Sequence, residues 1–182
     1  MIKKILIALV AIVVLLVATV AIASFATATD FKVEREVTIN KPKAEVFAYI
    51  KELKNQNEWG PWIKRDPAIK LDYKGTDGTV GFVSSWKSEK ADVGSGEQEI
   101  TKIVEGELID SQLRFREPFE SKADAYMITE ASGDVQTKVK WGFSSSMPRP
   151  MNIMLLFMDM DKEVGKDFDE GLASLKSIME KQ

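Results

Sequence analysis

Apolar and polar residues follow three different patterns along this chain, and each marks a different kind of element. From Ile5 to Ala23 there is no alternation, and Thr19 is the only polar residue. A run of about 19 residues is near the length that crosses the hydrocarbon core of a bilayer as a helix. Lipid offers the backbone no other hydrogen-bond partner, so the helix is enforced there. From Phe31 onward the period is two. Phe31, Val33, Val37 and Ile39 alternate with Lys32, Glu34, Glu36 and Thr38, with Arg35 the one misfit on the apolar side. That is the mark of a half-buried strand. In the last stretch the steps become three and four. Met151, Met154, Leu155, Met158, Gly165, Phe168, Leu172, Leu175, Ile178 and Met179 fall mostly on one side. The spacing predicts one amphipathic helix from Met151 to Gln182, about 45 Å long at 1.5 Å per residue.

Between these ends the chain reads as short helices followed by strands and tight turns. Pro42 and Glu45 suit a first helical turn, and Val46, Phe47 and Ile50 give that helix an apolar side. Leu53 to Trp59 reads as a second short helix or an irregular turn. Trp59-Gly60-Pro61-Trp62 and Arg65-Asp66-Pro67 read as a loop, whose two tryptophans either plug one end of the core or line a pocket mouth. Strands are predicted at Ile69–Lys74, around Val80, Phe82, Ser84 and Trp86, at Val93–Glu105, Leu108–Phe115 and Ser121–Ala131, and along Val135, Thr137, Val139, Trp141 and Phe143. Gly94 and Gly96 suggest a bulge or bend. Gly75-Thr76-Asp77-Gly78, Glu105-Gly106-Glu107 and Ser132-Gly133-Asp134 are turns. Short turns between consecutive strands imply antiparallel pairing. The fold class is therefore α+β, a bent antiparallel sheet packed on a long C-terminal helix.

Composition bears mainly on the N-terminus and on partners. Lys3 and Lys4 ahead of the apolar run favour a cytoplasmic residue 1–4 segment, a transmembrane anchor over 5–26, a linker over 27–30, and one exported domain over 31–182. A cleaved signal peptide is the alternative, since Ala26-Thr27-Ala28 is an A-x-A-like site. Both place the domain outside the cytoplasm, and the first makes the protein single-pass. The chain carries 25 basic and 28 acidic side chains. Without Lys3 and Lys4 the balance is 23 to 28, a net charge of −5. With no Lys/Arg-rich run, nucleic acid is a poor partner.

The order and spacing of one set of residues resembles the SRPBCC superfamily of START-like, helix-grip domains, in its polyketide cyclase/dehydrase branch. They begin with Arg35, Ile39, Pro42, Val46-Phe47, Glu58-Trp59-Gly60-Pro61-Trp62 and Asp66-Pro67. Gly78, Gly81, Trp86, Gly94-Ser95-Gly96, Phe115, Pro118-Phe119 and Thr137-Lys138-Val139-Lys140-Trp141 follow. The set closes with Gly165-Lys166-Asp167-Phe168 and Gly171-Leu172-Leu175-Lys176. The resemblance implies a helix-grip fold, with seven antiparallel strands wrapped round the C-terminal helix and a cavity between. It implies binding of lipids, sterols, polyketides or other apolar molecules, with enzymatic activity in some members. Many bacterial members with an N-terminal membrane segment have no assigned activity. No catalytic set transfers position by position.

The chemistry available is narrow. There is no histidine and no cysteine, which removes the commonest general base and metal ligand and all thiol chemistry. No metal or cofactor site is expected. Glu97 and Glu99 on one strand face, or Asp124 beside Tyr126 and Ile128, would gain acid–base character only if turned into an apolar cavity. Arg114 and Arg116 could hold a ligand carboxylate, or simply alternate outward with Leu113 and Phe115. Met147, Met151, Met154, Met158 and Met160 crowd the start of the last helix. Methionine suits adaptable apolar surfaces, so the group is either a movable pocket lid or ordinary core. The expected cavity lining is Trp62, Phe82, Trp86, Phe115, Tyr126, Trp141, Phe143, Met154, Met158 and Phe168. Three functions stay open: a membrane-tethered binder of an apolar small molecule or lipid, a cyclase- or dehydratase-type enzyme using a cavity carboxylate, and a membrane-associated protein-interaction module with a closed core.

Overall fold

The computed structural model describes residues 2–181. Met1 and Gln182, the outer ends of the expected cytoplasmic segment and of the expected last helix, lie outside the described residues. The apolar run forms helix α1 (Ile2–Ala26), and strand β1 (Asp30–Ile39) follows after a gap of three residues. Helices α2 (Lys43–Lys51), α3 (Gln56–Trp59) and α4 (Pro61–Arg65) follow, with a 3-10 turn at Leu53–Asn55. Then come β2 (Lys70–Lys74), β3 (Val83–Lys87), β4 (Ser95–Val104), β5 (Leu108–Glu117), β6 (Ser121–Ala131) and β7 (Thr137–Ser146). A 3-10 segment, Met151–Leu156, leads to α5 (Met160–Met179).

The strands make one antiparallel sheet in the order β1-β7-β6-β5-β4-β3-β2. One face is apolar. Val33, Val139, Met127, Ile109 and Ile100 are buried across it, and Phe168, Leu172, Leu175 and Met179 of α5 pack onto it. The expected bulge falls at the start of β4, where the register with β5 shifts between Ser95 and Gly96. A Cβ on Gly96 would meet the Trp86 ring at 2.7 Å, so glycine makes room for the indole beside it.

Arg35, the misfit of β1, is explained by α5. Its guanidinium lies against Gly165, where a Cβ would come within 2.1 Å of Nη2. From there it donates to the Asp161 carboxylate at 2.9 Å and the Asp161 carbonyl at 2.8 Å, and more weakly to Asp169 at 3.4 Å. A charged side chain starts on the inner face and leaves it through a notch in the helix, so its charge is never stranded in the core.

The expected single helix from Met151 to Gln182 is two pieces. Asp159 accepts a hydrogen bond from the Lys162 amide and caps α5, with Asp161 and Glu163 in the first turn. That cap, placed where the N-terminal helix dipole favours acids, starts a new helix instead of continuing one. The expected loop at Trp59–Trp62 is also tighter than a loop. Pro61 opens α4 as its first residue, where its fixed φ and missing N–H cost nothing.

Candidate ligand cavity

A cavity of about 240 Å³ lies between the sheet, α3–α4 and the first half of α5. The sheet contributes inward-facing residues in matched register: Leu71 beside Trp86, Ser84 beside Gln98, Gln98 beside Leu113, and Phe143 beside Ala125. Trp62 and Ile63 of α4 and Val164, Asp167 and Phe168 of α5 close it. An aromatic stack forms one wall. Trp141 lies parallel to Phe168 at 3.9 Å, and Trp59 and Trp62 meet Trp141 edge-on at 5.0 and 5.8 Å. Gly171 lets α5 approach, since a Cβ there would touch Trp141 at 2.8 Å. The two tryptophans of the α3–α4 segment thus divide the alternatives between them. Trp59 is 1% exposed and plugs the core, whereas Trp62 faces the cavity.

Six of the ten expected lining residues meet here: Trp62, Trp86, Phe115, Trp141, Phe143 and Phe168. Four do not. Phe82 precedes β3, fully buried in the core and stacked on Tyr73 at 6.1 Å. Tyr126 lies on the outer face of β6, over Gly142, with its hydroxyl on Glu34. The phase of β6 is the reason: Ala123, Ala125, Met127 and Thr129 are the buried set, and with apolar residues on both sides the larger ring was the wrong guide. Met154 and Met158 stay exposed outside the cavity on the segment before α5. The expected methionine lid is therefore no part of this cavity.

The lining also includes polar groups that apolar periodicity does not reveal. Gln56, Asn57, Ser84, Gln98 and Asp167 all reach it. Asn57 donates to the Tyr73 hydroxyl at 2.7 Å. Among the described residues, the side chains of Gln56, Ser84 and Gln98 form no hydrogen bond with protein. A second void of about 10 Å³ adjoins at Gln56, Gln98 and Ala125, and reaches Ser111 and Trp59. Among the described residues, the Trp59 Nε1 has no hydrogen-bond partner. The phase of β4 carried the signal for Gln98: it sits between Glu97 and Glu99, so if those two point outward it must point in.

Charges are held away from the interior. Glu97 and Glu99 are on the outer face, bound to Arg114 at 2.6 and 2.7 Å, with Arg116 also on Glu97 at 2.8 Å. The hydrogen bond from Arg114 outweighs desolvation and holds the Glu97 carboxyl below its usual range. Asp124 is exposed on the outer face as well. Asp66, buried behind α4, accepts from the Ser88 hydroxyl and the Ala68 amide, and the Ser88 bond is the main reason its pKa is depressed. Asp167 is the sole ionisable side chain in the cavity lining among the described residues. It is ion-paired with Arg65 across the α4–α5 contact.

Known proteins place this geometry. The family described as "Polyketide cyclase / dehydrase and lipid transport" matches residues 30–180. No curated protein sequence matches the chain at a significant level. Solved structures share the fold at low identity. A protein from Thermobifida fusca has a TM-score of 0.61 and 15% identity, covering 82% of this chain and 93% of its own. A Rhizobium leguminosarum protein has a TM-score of 0.60 and 13% identity, covering 86% and 98%. Ara h 8.0201 has a TM-score of 0.56 and 18% identity, covering 84% and 99%. The helix-grip sheet, its C-terminal helix and the match over residues 30–180 agree: the chain belongs to the polyketide cyclase/dehydrase and lipid transport family.

Proposed function

We propose that this protein is a membrane-tethered binding domain for an uncharged, largely apolar molecule carrying one or two polar atoms. The cavity is the observation that carries the reading. At about 240 Å³ it exceeds the roughly 150 Å³ known to hold benzene and lies just below the common ligand-pocket range of about 300 Å³ and upward. Its walls supply aromatic and aliphatic area for the hydrophobic contribution, about 25 cal/mol per Å² buried. Gln56, Ser84 and Gln98 offer donors and acceptors to orient a carbonyl, hydroxyl or amide. With no cation in the lining and Asp167 at its edge, a ligand carboxylate would be desolvated without a partner. The binding reading is favoured over the enzymatic one because that single ionisable lining group is engaged by Arg65, leaving no free acid–base group aimed at a bound molecule.

The tether is supported by α1, which is long and apolar enough to cross a bilayer and has none of its apolar span buried in the domain. Retention instead of cleavage is supported by what its end touches. Asn152, fully buried, donates to the Ser24 and Thr27 carbonyls at 2.8 and 3.0 Å and accepts from the Ser24 hydroxyl at 2.7 Å. The A-x-A-like site at Ala26–Ala28 is folded against the domain by these bonds. Cleavage there would leave buried polar groups unpaired.

The test uses the released domain, residues 30–182, whose apolar core lies wholly between Val33 and Met179. Solvent extraction with mass spectrometry should recover an uncharged apolar species. A neutral naphthylamine dye should bind in the micromolar range, and a fatty alcohol should displace it at least tenfold better than the matching fatty acid. Recovery of nothing together with no dye binding sinks the binding reading. Preference for the acid sinks the neutral-ligand part of it.

A further inference from the structure

The segment between β7 and α5 has a composition the ligand cavity does not use. Of the eight residues Met151–Met158, seven are apolar, and the single polar one, Asn152, is turned inward and buried. Met151, Met154, Leu156, Phe157 and Met158 are exposed, Phe157 to 85%. A contiguous apolar surface of this kind needs a covering partner.

Its position says which. Asn152 is bonded to Ser24 and Thr27 at the end of α1, and the Arg149 guanidinium lies 5.1 Å over the ring of Phe25. The segment is therefore fixed beside the last turn of the apolar helix. The strand register brings a further group to the same end. β1 begins there, β7 ends there, and so does the β5–β6 turn bearing Phe119, which is 72% exposed. At the opposite end of the sheet the exposed large apolar side chains are Val80, Val104 and Val135, single valines in separate places.

We infer that Met151–Met158 is a second membrane contact, which lies in the interfacial layer of the bilayer that α1 spans and holds the domain in one orientation on its surface. The inference rests on the anchor reading above. If Ala23 ends the hydrocarbon span, Ser24 to Ala28 sit at the boundary, and a segment bonded to their backbone sits there too. Long apolar side chains at that depth reach the acyl boundary, about 5–10 Å in. The anchor then acts as a rigid mount, and the domain does not swing on a free linker.

The absence of native cysteine allows background-free spin labelling of the full chain in phosphatidylcholine vesicles. These vesicles carry no net charge, so electrostatic attraction plays no part. Single variants Met154→Cys and Phe157→Cys test the segment, Leu15→Cys tests α1, and Val135→Cys serves as the aqueous reference. The oxygen-to-nickel-chelate collision ratio at 154 and 157 should be at least threefold above that at 135, at interfacial depth. Leu15 should read as bilayer interior. A lipid reading at Leu15 with aqueous values at 154 and 157 overturns the inference and leaves the anchor standing. Shielding of 154 and 157 from both reagents points to a protein contact and also overturns it. An aqueous value at Leu15 removes the anchor and the inference together.

Discussion

Replacing Gly165 by alanine tests the central packing claim of the fold through the sign of its effect. Two opposing contributions are known. In a helix interior alanine is favoured over glycine by about 1 kcal/mol. Against this, the new Cβ would lie 2.1 Å from Nη2 and 2.5 Å from Cζ of Arg35, too close for any real contact. Arg35 is not free to yield. Its guanidinium is fixed by both Asp161 oxygens, by the Asp161 carbonyl and by Asp169. Forcing an extra carbon into a packed site costs about 1–3 kcal/mol. The net expectation for Gly165→Ala is a loss of up to about 2 kcal/mol.

In an Arg35→Ala background the three nearest atoms to the new Cβ, all from the Arg35 guanidinium, are gone. There only the helix preference remains, and Gly165→Ala should stabilise by up to about 1 kcal/mol. The coupling between the two sites is then about 1–3 kcal/mol, within the range that contacting residues display in double-mutant cycles. Urea unfolding of the four proteins, followed by tryptophan fluorescence, measures it directly. Reversal of sign is the expected result. If Gly165→Ala stabilises the native background, or destabilises both backgrounds equally, Arg35 does not occupy the notch and the account of β1 docking on α5 is wrong.

Other substitutions test the remaining parts of the architecture. Ala125→Leu would place three more carbons at the cavity wall; neutral-dye affinity should fall at least tenfold while the melting temperature holds or rises, and unchanged dye binding would mean the ligand lies elsewhere. Asn152→Ala removes four hydrogen bonds at the α1 junction, three of them at 2.7–3.0 Å and a long one to the Ala28 carbonyl at 3.4 Å; at about 1 kcal/mol for each of the three short ones, the opened junction should rise roughly a hundredfold. Proteinase K should then cut vesicle-bound full-length protein between 24 and 30 far faster, with the domain's own melting unchanged. Acid unfolding tests Asp66 and Glu97. Both have folded pKa values depressed below 3.8 and 4.5, by Ser88 and by Arg114 respectively, so the stability they contribute is fully present above those values and lost as pH falls through the folded ones. Asp66→Asn should therefore flatten the loss of stability as pH falls below 3.8, and an unchanged acid limb would discount its hydrogen bonds.

Strand identity and order were legible because period-two patterning separates two faces wherever one is charged. In β7, Lys138 and Lys140 mark the outside, and Val139 and Trp141 are buried as the pattern demands. β6 carries the same signal: Lys122, Asp124 and Glu130 share the side of Tyr126 and Ile128 and mark it as the outside, so the size of the Tyr126 ring was the wrong guide to the inward residue. The pattern fails at Val80 and Phe82, because a turn precedes β3 and alternation carries no meaning outside a strand. At the C-terminus, counting apolar steps of three and four merged two segments. The signal that separates them was present: Asp159 with acids at 161 and 163 is a helix start. The cavity's polar groups were the least legible part. Gln56, Ser84 and Gln98 are ordinary surface residues by composition; the register of β3, β4 and β5 turns Ser84 and Gln98 inward, and α3 brings Gln56 to the same cavity.

Register also bears on where a ligand would come from. The strand residues that line the cavity are Ser84 and Trp86 of β3, Gln98 of β4, Leu113 and Phe115 of β5, Ala125 of β6, and Trp141 and Phe143 of β7. In β4 and β6 these fall near the strand start, and in β5 near the strand end. Those are the ends that share one edge of the sheet with the start of β1, which follows α1 after a gap of three residues. The cavity therefore occupies the α1 side of the domain, and the opposite side is closed by Ile39, Val139, Ile100 and Ile109 in the apolar core. An apolar molecule with low aqueous solubility gains most from a binding site close to its reservoir, since each buried CH₂ carried through water costs about 0.8 kcal/mol. On the proposed tether, the α1–Asn152 junction and a cavity on the α1 side would be two parts of one arrangement. Severing the mount with Asn152→Ala should slow transfer of a membrane-dissolved dye into the cavity, while leaving the affinity of the released domain for the same dye unchanged. Equal transfer rates with and without the Asn152 bonds would separate the two features and assign the mount some other purpose.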